Sequence, residues 1–148
     1  MAVAEDLDRA VDSQWDWVAE QTRAYLASGG TEGHENNGLH VLVIATTGRR
    51  SGRPRRNCLI YGRSGDDYVV VASKGGDDKD PDWLTNLLAD PSVGVQAGTD
   101  RFTAHARVAS EAERAPLWTR MARIFPLYEE YAQKTERTIP IVLLTPVA

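Results

Sequence analysis

Apolar residues recur at steps of three and four from Glu5 to Ser28: Leu7, Val11, Trp15, Val18, Thr22, then Tyr25 with Leu26. That spacing predicts one amphipathic helix with a single buried stripe. Gly29-Gly30 ends it. Thr31 to Gly38 is polar and reads as a loop. The pattern then changes. Leu39 to Thr46 is almost continuously apolar and rich in β-branched residues, which predicts a strand covered on both faces. Arg56 to Arg63 and Tyr68 to Ser73 read as two further strands, and the Ser64-Gly65-Asp66-Asp67 turn between them predicts a hairpin.

A short helix is expected from Asp80-Pro81 to Leu88, with Asp80 as its cap and Pro81 in its first turn. Asp90-Pro91 ends it. Strands follow over Ser92 to Ala97 and Arg101 to Ala109. In the second, Phe102, Ala104, Ala106 and Val108 alternate with Arg101, Thr103, His105 and Arg107, the period of a sheet with one wet face. Ser110 and Glu113 form a capping box for another helix, and Pro116 inside it predicts a kink. Phe125-Pro126 interrupts the pattern before a short helix over Leu127 to Gln133. Thr138 to Thr145 is the last strand, with Pro140 placing its start at an edge or bulge.

The order is α, βββ, α, ββ, α, β. Hairpin-length links make an α+β, mainly β fold of about six mostly antiparallel strands. Within 148 residues that favours a small barrel with peripheral helices, in a single domain over 1–148.

Composition narrows the class. The chain is 42% hydrophobic and 26% charged, a globular balance. Its single cysteine, Cys58, excludes an internal disulfide and reads as a small buried residue. His34, His40 and His105 lack metal-ligand spacing. No apolar run approaches the ~20 residues of a membrane span, and no signal peptide is visible, so the expected location is the cytoplasm.

Charge changes the picture more. The chain carries net charge −4, yet residues 46–56, Thr-Thr-Gly-Arg-Arg-Ser-Gly-Arg-Pro-Arg-Arg, hold five arginines and no acid. A dense positive patch on an acidic protein suits a local anionic partner; guanidinium groups grip phosphate or carboxylate, and glycines let backbone amides approach. Ser73-Lys74-Gly75-Gly76 has the same character. A solvated loop is the plain alternative. The Ser51-Gly52-Arg53-Pro54-Arg55 stretch is loosely similar to a DNA minor-groove hook, but the acidic balance opposes nucleic acid. No Walker loop, Gly-x-Gly-x-x-Gly run or Gly-x-Ser-x-Gly elbow is present, so nucleophilic catalysis has no support. Trp83 lies one turn from Leu87, as a core residue would, with Asn86 beside it. Phe125, Tyr128 and Tyr131 fall three apart and line one helical face, where they could cover a planar ligand.

Four segments together carry a family resemblance: residues 46–55, 71–76 (Val-Ala-Ser-Lys-Gly-Gly), 81–87 (Pro-Asp-Trp-Leu-Thr-Asn-Leu) and 135–140 (Thr-Glu-Arg-Thr-Ile-Pro). In order and content they resemble the deazaflavin-dependent nitroreductase family, split-barrel oxidoreductases that include F420H2-dependent quinone reductases. The likeness runs from about Trp15 to Pro146. It implies a split β-barrel and the cofactor F420, a deazaflavin with a phosphate and a polyglutamate tail. It implies that Arg49, Arg50, Ser51, Gly52, Pro54, Arg55, Arg56, Asn57, Ala72, Ser73, Lys74 and Gly75 form the cofactor's grip. Trp83 and Asn86 would support the pocket, and Tyr61, Tyr128 and Tyr131 would lie around the substrate, with Tyr128, Tyr131 or solvent as proton donor. Members that reduce bulky nitro compounds can carry a tyrosine where this chain has Phe125, which keeps the ring and loses the hydroxyl. The implied activity is hydride transfer from reduced F420 to a quinone, activated alkene or nitroaromatic, with no metal. An FMN-binding split barrel and a non-catalytic F420 carrier or sensor are the alternatives. The N-terminal helix is expected to cover the barrel; its Asp6, Asp8, Asp12, Asp16 and Glu20 disfavour contact with anionic lipid.

Overall fold

The structure is a computed structural model that describes residues 1–36 and 38–147; Asn37, inside the expected 31–38 loop, lies outside the described residues. Its elements are α1 (Asp16–Ala27), β1 (Glu35–Asn36), β2 (Leu39–Thr47), β3 (Pro54–Ile60), β4 (Gly62–Ser64), β5 (Asp67–Val71), α2 (Asp82–Ala89), β6 (Ser92–Ala97), β7 (Asp100–Val108), α3 (Glu111–Ile124), α4 (Leu127–Gln133) and β8 (Ile141–Pro146). All strands join one sheet in the order β1-β2-β6-β7-β8-β5-β4, with β3 also paired to β2. Every strand pair is antiparallel.

The curl of this sheet has a covalent cause. β3 sits on β2 and β4 sits on β5, far apart in strand order, yet Tyr61 alone separates them in the chain. The sheet must therefore roll until its ends meet, and the seam between β3 and β5 is the split of a split barrel. This corrects the expected hairpin: the 56–63 segment is two strands, of which only Gly62–Ser64 pairs with β5. The described residues form eight strands, against the six expected, because β1 and β4 are very short.

Alternation along the strands separates the apolar clusters. Leu42 and Ile44 of β2, Val70 of β5 and Val142 and Leu144 of β8 fill the barrel with Trp83, Leu84 and Leu87 of α2. Val41, Val43 and Ala45 turn outward under Leu7, Ala10 and Tyr25. Val69, Val71, Ile141 and Leu143 turn outward under Leu117, Met121 and Tyr128 of α3 and α4. β2 is thus buried on both faces, as its sequence predicts.

The N-terminus departs from expectation. In place of one helix over 5–28, a 3-10 turn (Ala4–Asp8) leads into extended chain before α1 begins at Asp16. Val11 lies along β3, donating from its N–H to the Pro54 carbonyl (2.8 Å) and accepting from the Arg56 N–H (2.9 Å). Asp12 meets Arg56 Nε (2.6 Å) and Arg23 (2.9 Å), and Asp8 meets Arg101 (2.7 Å). These tertiary partners outweigh the weak intrinsic helix preference of an aspartate-rich segment. Asp80 does not cap α2; Pro81 holds that position, and Asp80 accepts from Arg137 instead. The Ser110–Glu113 capping box forms, and α3 runs through Pro116 without ending there.

Candidate active site

A cleft of about 500 Å³ opens along the seam. Its walls come from the α1 entrance, β3, the turn after β5, α2, and α4. Arg55, Arg56, Asn57, Ser73, Lys74, Gly75, Trp83, Asn86, Phe125, Tyr128 and Tyr131, all implied by the sequence, line it together.

The five arginines divide by partner. Arg56 is engaged by Asp12 and donates to the Leu7 carbonyl (2.7 Å), so it fastens the N-terminal segment although it borders the cleft. Arg49 donates from its backbone and its guanidinium to Asn86 Oδ1, each at 3.1 Å, and lies 3.6 Å from Asp82. Arg50, Arg53 and Arg55 have no acidic partner among the described residues, and of these Arg55 lines the cleft. Ser51 accepts from the Arg53 amide and Gly52 donates to the Gly48 carbonyl, closing a tight turn; Arg49, Arg50, Ser51, Gly52 and Pro54 stand outside the cleft wall.

The turn after β5 is a concave anion site in outline. Ser73 is right-handed (φ −78°, ψ −35°), whereas Lys74 (φ +46°) and Gly75 (φ +65°) have positive φ. Such a reversal makes successive amides converge into a nest that favours anions. Among the described residues the Lys74 and Gly75 amides have no acceptor, and the Ser73 hydroxyl has no hydrogen-bond partner. Lys74 Nζ lies 3.9 Å from Asp77, a long contact that leaves it available. Gly76 is required by position: its φ is +86°, and a Cβ there would stand 2.8 Å from the Tyr131 carbonyl oxygen. That close approach seats the turn against α4, so the cationic and aromatic walls are one continuous surface.

The aromatic wall is Phe125, Tyr128 and Tyr131. Phe125 packs edge-on to Tyr128 at 5.0 Å between ring centres, and Tyr131 lies 6.4 Å from Tyr128. Neither tyrosine hydroxyl has a hydrogen-bond partner among the described residues. Burial, and then the neighbouring Tyr131, push the Tyr128 hydroxyl well above the ordinary tyrosine range, so it stays neutral and able to donate. Cys58 also borders the cleft, but burial raises its thiol to about 11 and it packs 3.1 Å from the Thr22 hydroxyl, which leaves it inert.

Two further implied residues lie away from the cleft wall. Tyr61 is buried in the barrel, with its hydroxyl 2.8 Å from His34 Nε2 and its ring beside Tyr68. The β3–β4 joint turns it away from the cleft. Ala72 is fully buried, its carbonyl accepting from Arg137 (3.1 Å). Other wall residues went unassigned: Asp12, Gln14, Trp15, Trp17 and Gln21 from the N-terminal region. A signal existed. Trp15 and Trp17 are two apart, so a helix cannot bury both on one face, and they are 58% and 69% exposed.

A sequence profile described as F420H(2)-dependent quinone reductase matches residues 17–146. The chain belongs to the F420H2-dependent quinone reductase family. An F420H(2)-dependent quinone reductase of Mycobacterium tuberculosis is 38% identical over 125 residues, covering 82% of this chain and 84% of that protein. A solved F420-H2 dependent reductase is similar at 37% identity and TM-score 0.65, covering 70% of this chain and 92% of that one. A further structure, described as a domain-swapped dimer, is similar at 37% identity and TM-score 0.69, covering 89% and 99%. As a family member the chain is an F420-dependent reductase with a split-barrel fold, and the family name gives reduced F420 as the reductant. Among the described residues no helix is long and apolar enough to cross a membrane.

The cleft fits that cofactor chemically. A phosphate and carboxylates need cations and amide donors, and Arg55, Lys74 and the 73–75 turn present them. A planar ring system needs an apolar, aromatic wall, which Trp83, Phe125, Tyr128 and Tyr131 present. The volume lies within the range of cofactor pockets.

Proposed function

We propose that the chain catalyses reduction of a quinone-type small molecule by F420H2 in this cleft. Arg55, Lys74 and the Ser73–Gly75 amides hold the anionic part of the cofactor, and Trp83 and Asn86 support the floor. Reduced F420, when bound, supplies a hydride. The acceptor gains that hydride and one proton, and becomes the two-electron-reduced product.

The chain's part is orientation, exclusion of water and hydrogen bonding. Tyr128 stays neutral and its hydroxyl has no partner among the described residues, so it is suited to donate to a carbonyl oxygen as negative charge grows there. The same upward shift makes Tyr128 a poor source of the proton itself. Tyr131 or solvent supplies it. Phe125 offers a ring face and no proton. Trp15 and Trp17 at the entrance give an apolar lip for a ring acceptor.

The observation that carries this reading is the junction of an anion-binding turn with an aromatic wall bearing an unpartnered neutral hydroxyl. The test is oxidation of reduced F420, followed by its absorbance, with quinones, enones and nitroaromatics at matched concentrations. Quinones are expected to give the highest kcat/KM. Preference for nitroaromatics by tenfold or more would reassign the acceptor, and binding without turnover of any acceptor would indicate a carrier. Titration with FMN alongside F420 separates the flavin alternative, which requires tighter binding of FMN.

A further inference from the structure

Arg137 lies outside the cleft wall, in the segment between α4 and β8, yet it addresses the cleft's anion site from behind. Its Nε donates to the Asp77 carbonyl (2.8 Å) and its Nη1 to Asp80 Oδ1 (3.1 Å). Its Nη2 donates to both the Ala72 (3.1 Å) and Ser73 (3.0 Å) carbonyls. One guanidinium therefore holds both ends of the 72–80 turn. Its side chain is 15% exposed, and the two bonds to the Ala72 and Ser73 carbonyls are partly buried.

The direction of these bonds matters. In a trans peptide the C=O and the following N–H point opposite ways. Carbonyls of Ala72 and Ser73 that face Arg137 turn the Ser73 and Lys74 amides away from it. Those residues line the cleft and Arg137 does not, so the amides turn toward the cleft. The arrangement also holds Lys74 at φ +46°, the only positive φ outside glycine among the described residues. A non-glycine residue occupies that region at a cost that the surroundings must offset. Lysine cannot replace this arginine, because an ammonium is a compact donor that cannot span four acceptors in a planar fork.

Resting on the F420 reading above, we propose that Arg137 is a positioning residue that presets the Ser73–Gly75 turn for the cofactor's anionic group. It touches neither cofactor nor acceptor and acts through the backbone it holds.

The test compares Arg137→Lys and Arg137→Gln with the wild-type chain. Cofactor affinity is read by fluorescence titration with three probes: F420, its form bearing the phosphate but no glutamate, and the fragment lacking both. Both variants should bind F420 about ten to fifty times more weakly. The fragment lacking both anionic parts should bind as before, and a loss kept by the phosphate form assigns the turn to phosphate over glutamate. The acceptor KM at saturating F420 should stay within twofold. A double-mutant cycle with Lys74→Ala should show coupling, the combined loss being smaller than the product of the two. Hydrogen exchange of the Gly76 and Asp77 amides, which bond to the Ser73 and Lys74 carbonyls, should quicken in the cofactor-free variants. Wild-type affinity in Arg137→Lys would mean that charge alone matters and would overturn the proposal. So would equal losses for all three probes, independent effects in the cycle, or unchanged exchange. Should the wild-type chain bind no F420, the cofactor reading fails, and the exchange measurement still decides whether Arg137 holds the turn.

Discussion

Asn86→Ala should remove the brace that connects α2 to the arginine loop. Asn86 is 2% exposed and bonded at both ends of its amide: Oδ1 accepts the Arg49 amide and guanidinium at 3.1 Å, and Nδ2 donates to Thr46 Oγ1 at 3.2 Å. A neutral hydrogen bond contributes about 0.5–1.5 kcal/mol net, and stranding a buried partner costs about 1–3 kcal/mol. The Arg49 guanidinium is 32% exposed and recovers water, so its bond counts little. Thr46 is completely buried and recovers none. The sum is roughly 2–4 kcal/mol, which for a chain of this size corresponds to a Tm lowered by about 5–15 °C. Thermal unfolding followed by circular dichroism checks it. Asn86→Asp keeps the acceptor for Arg49 and should recover part of the loss at pH 7. A Tm for Asn86→Ala within 2 °C of wild type would refute the reasoning, since it would mean that Thr46 and Arg49 find other partners at no cost.

Arg55→Ala should weaken F420 binding about tenfold to a hundredfold, since charge-assisted hydrogen bonds contribute about 1.5–3 kcal/mol each; titration with a fragment lacking phosphate and glutamates should show a much smaller loss. Tyr128→Phe should lower kcat about tenfold to a hundredfold with F420 affinity unchanged, because a donor to developing charge is lost and the ring is kept; stopped-flow oxidation of reduced F420 reads it. Asp12→Asn should loosen the N-terminal segment and lower Tm by about 2–4 °C at pH 7, as expected for a partly shielded ion pair. Burial opposes ionisation of Asp12, but the hydrogen bonds and charges of Arg56 and Arg23 outweigh it and depress its folded pKa. The stabilisation is therefore present above the unfolded value of about 3.9 and is lost as pH falls through the lower folded value, so the two melting curves should converge as acidification takes Asp12 below that folded value.

Local rules located elements wherever the answer lay in neighbouring residues. The capping box at Ser110 and Glu113 opens α3, and α4 occupies Leu127–Gln133 as its pattern predicts. The apolar run of β2 is covered on both faces because two different clusters need it. Local rules failed where a distant partner decided. Helical spacing over 5–28 could not register that the open edge of β3 would draw Val11 into extended pairing. The turn at 64–67 indicated a hairpin correctly but not its length, which barrel closure cuts to Gly62–Ser64. Tyr61 was misplaced for the same reason: its direction is set by that closure, not by its own strand. The family resemblance names residues of β3, the lysine turn and α4 that are far apart in the chain, and the fold brings them together along one cleft. Trp15 falls in the expected helical stripe, of which α1 buries only the later members Val18, Thr22 and Tyr25, and Trp17 falls outside that stripe.

Partner geometry gives the arginine loop its meaning. Composition shows five arginines in an acidic chain and invites the conclusion that all of them bind one ligand. The structure engages Arg56 with Asp12 and Arg49 with Asn86 and Asp82, and sets Arg50 and Arg53 outside the cleft wall. Arg55 is left to face it, opposite a lysine turn that Arg137 grips from the rear. A paired arginine in such a site holds its neighbours in place, and an unpaired one is available to the ligand. Alanine substitution should separate the two kinds: Arg55→Ala should reduce cofactor affinity at nearly constant Tm, and Arg56→Ala should reduce Tm first, because it leaves the partly buried Asp12 with Arg23 alone. If both variants instead lost affinity at unchanged Tm, charge density would be the operative property, and the division by partner would have no functional content.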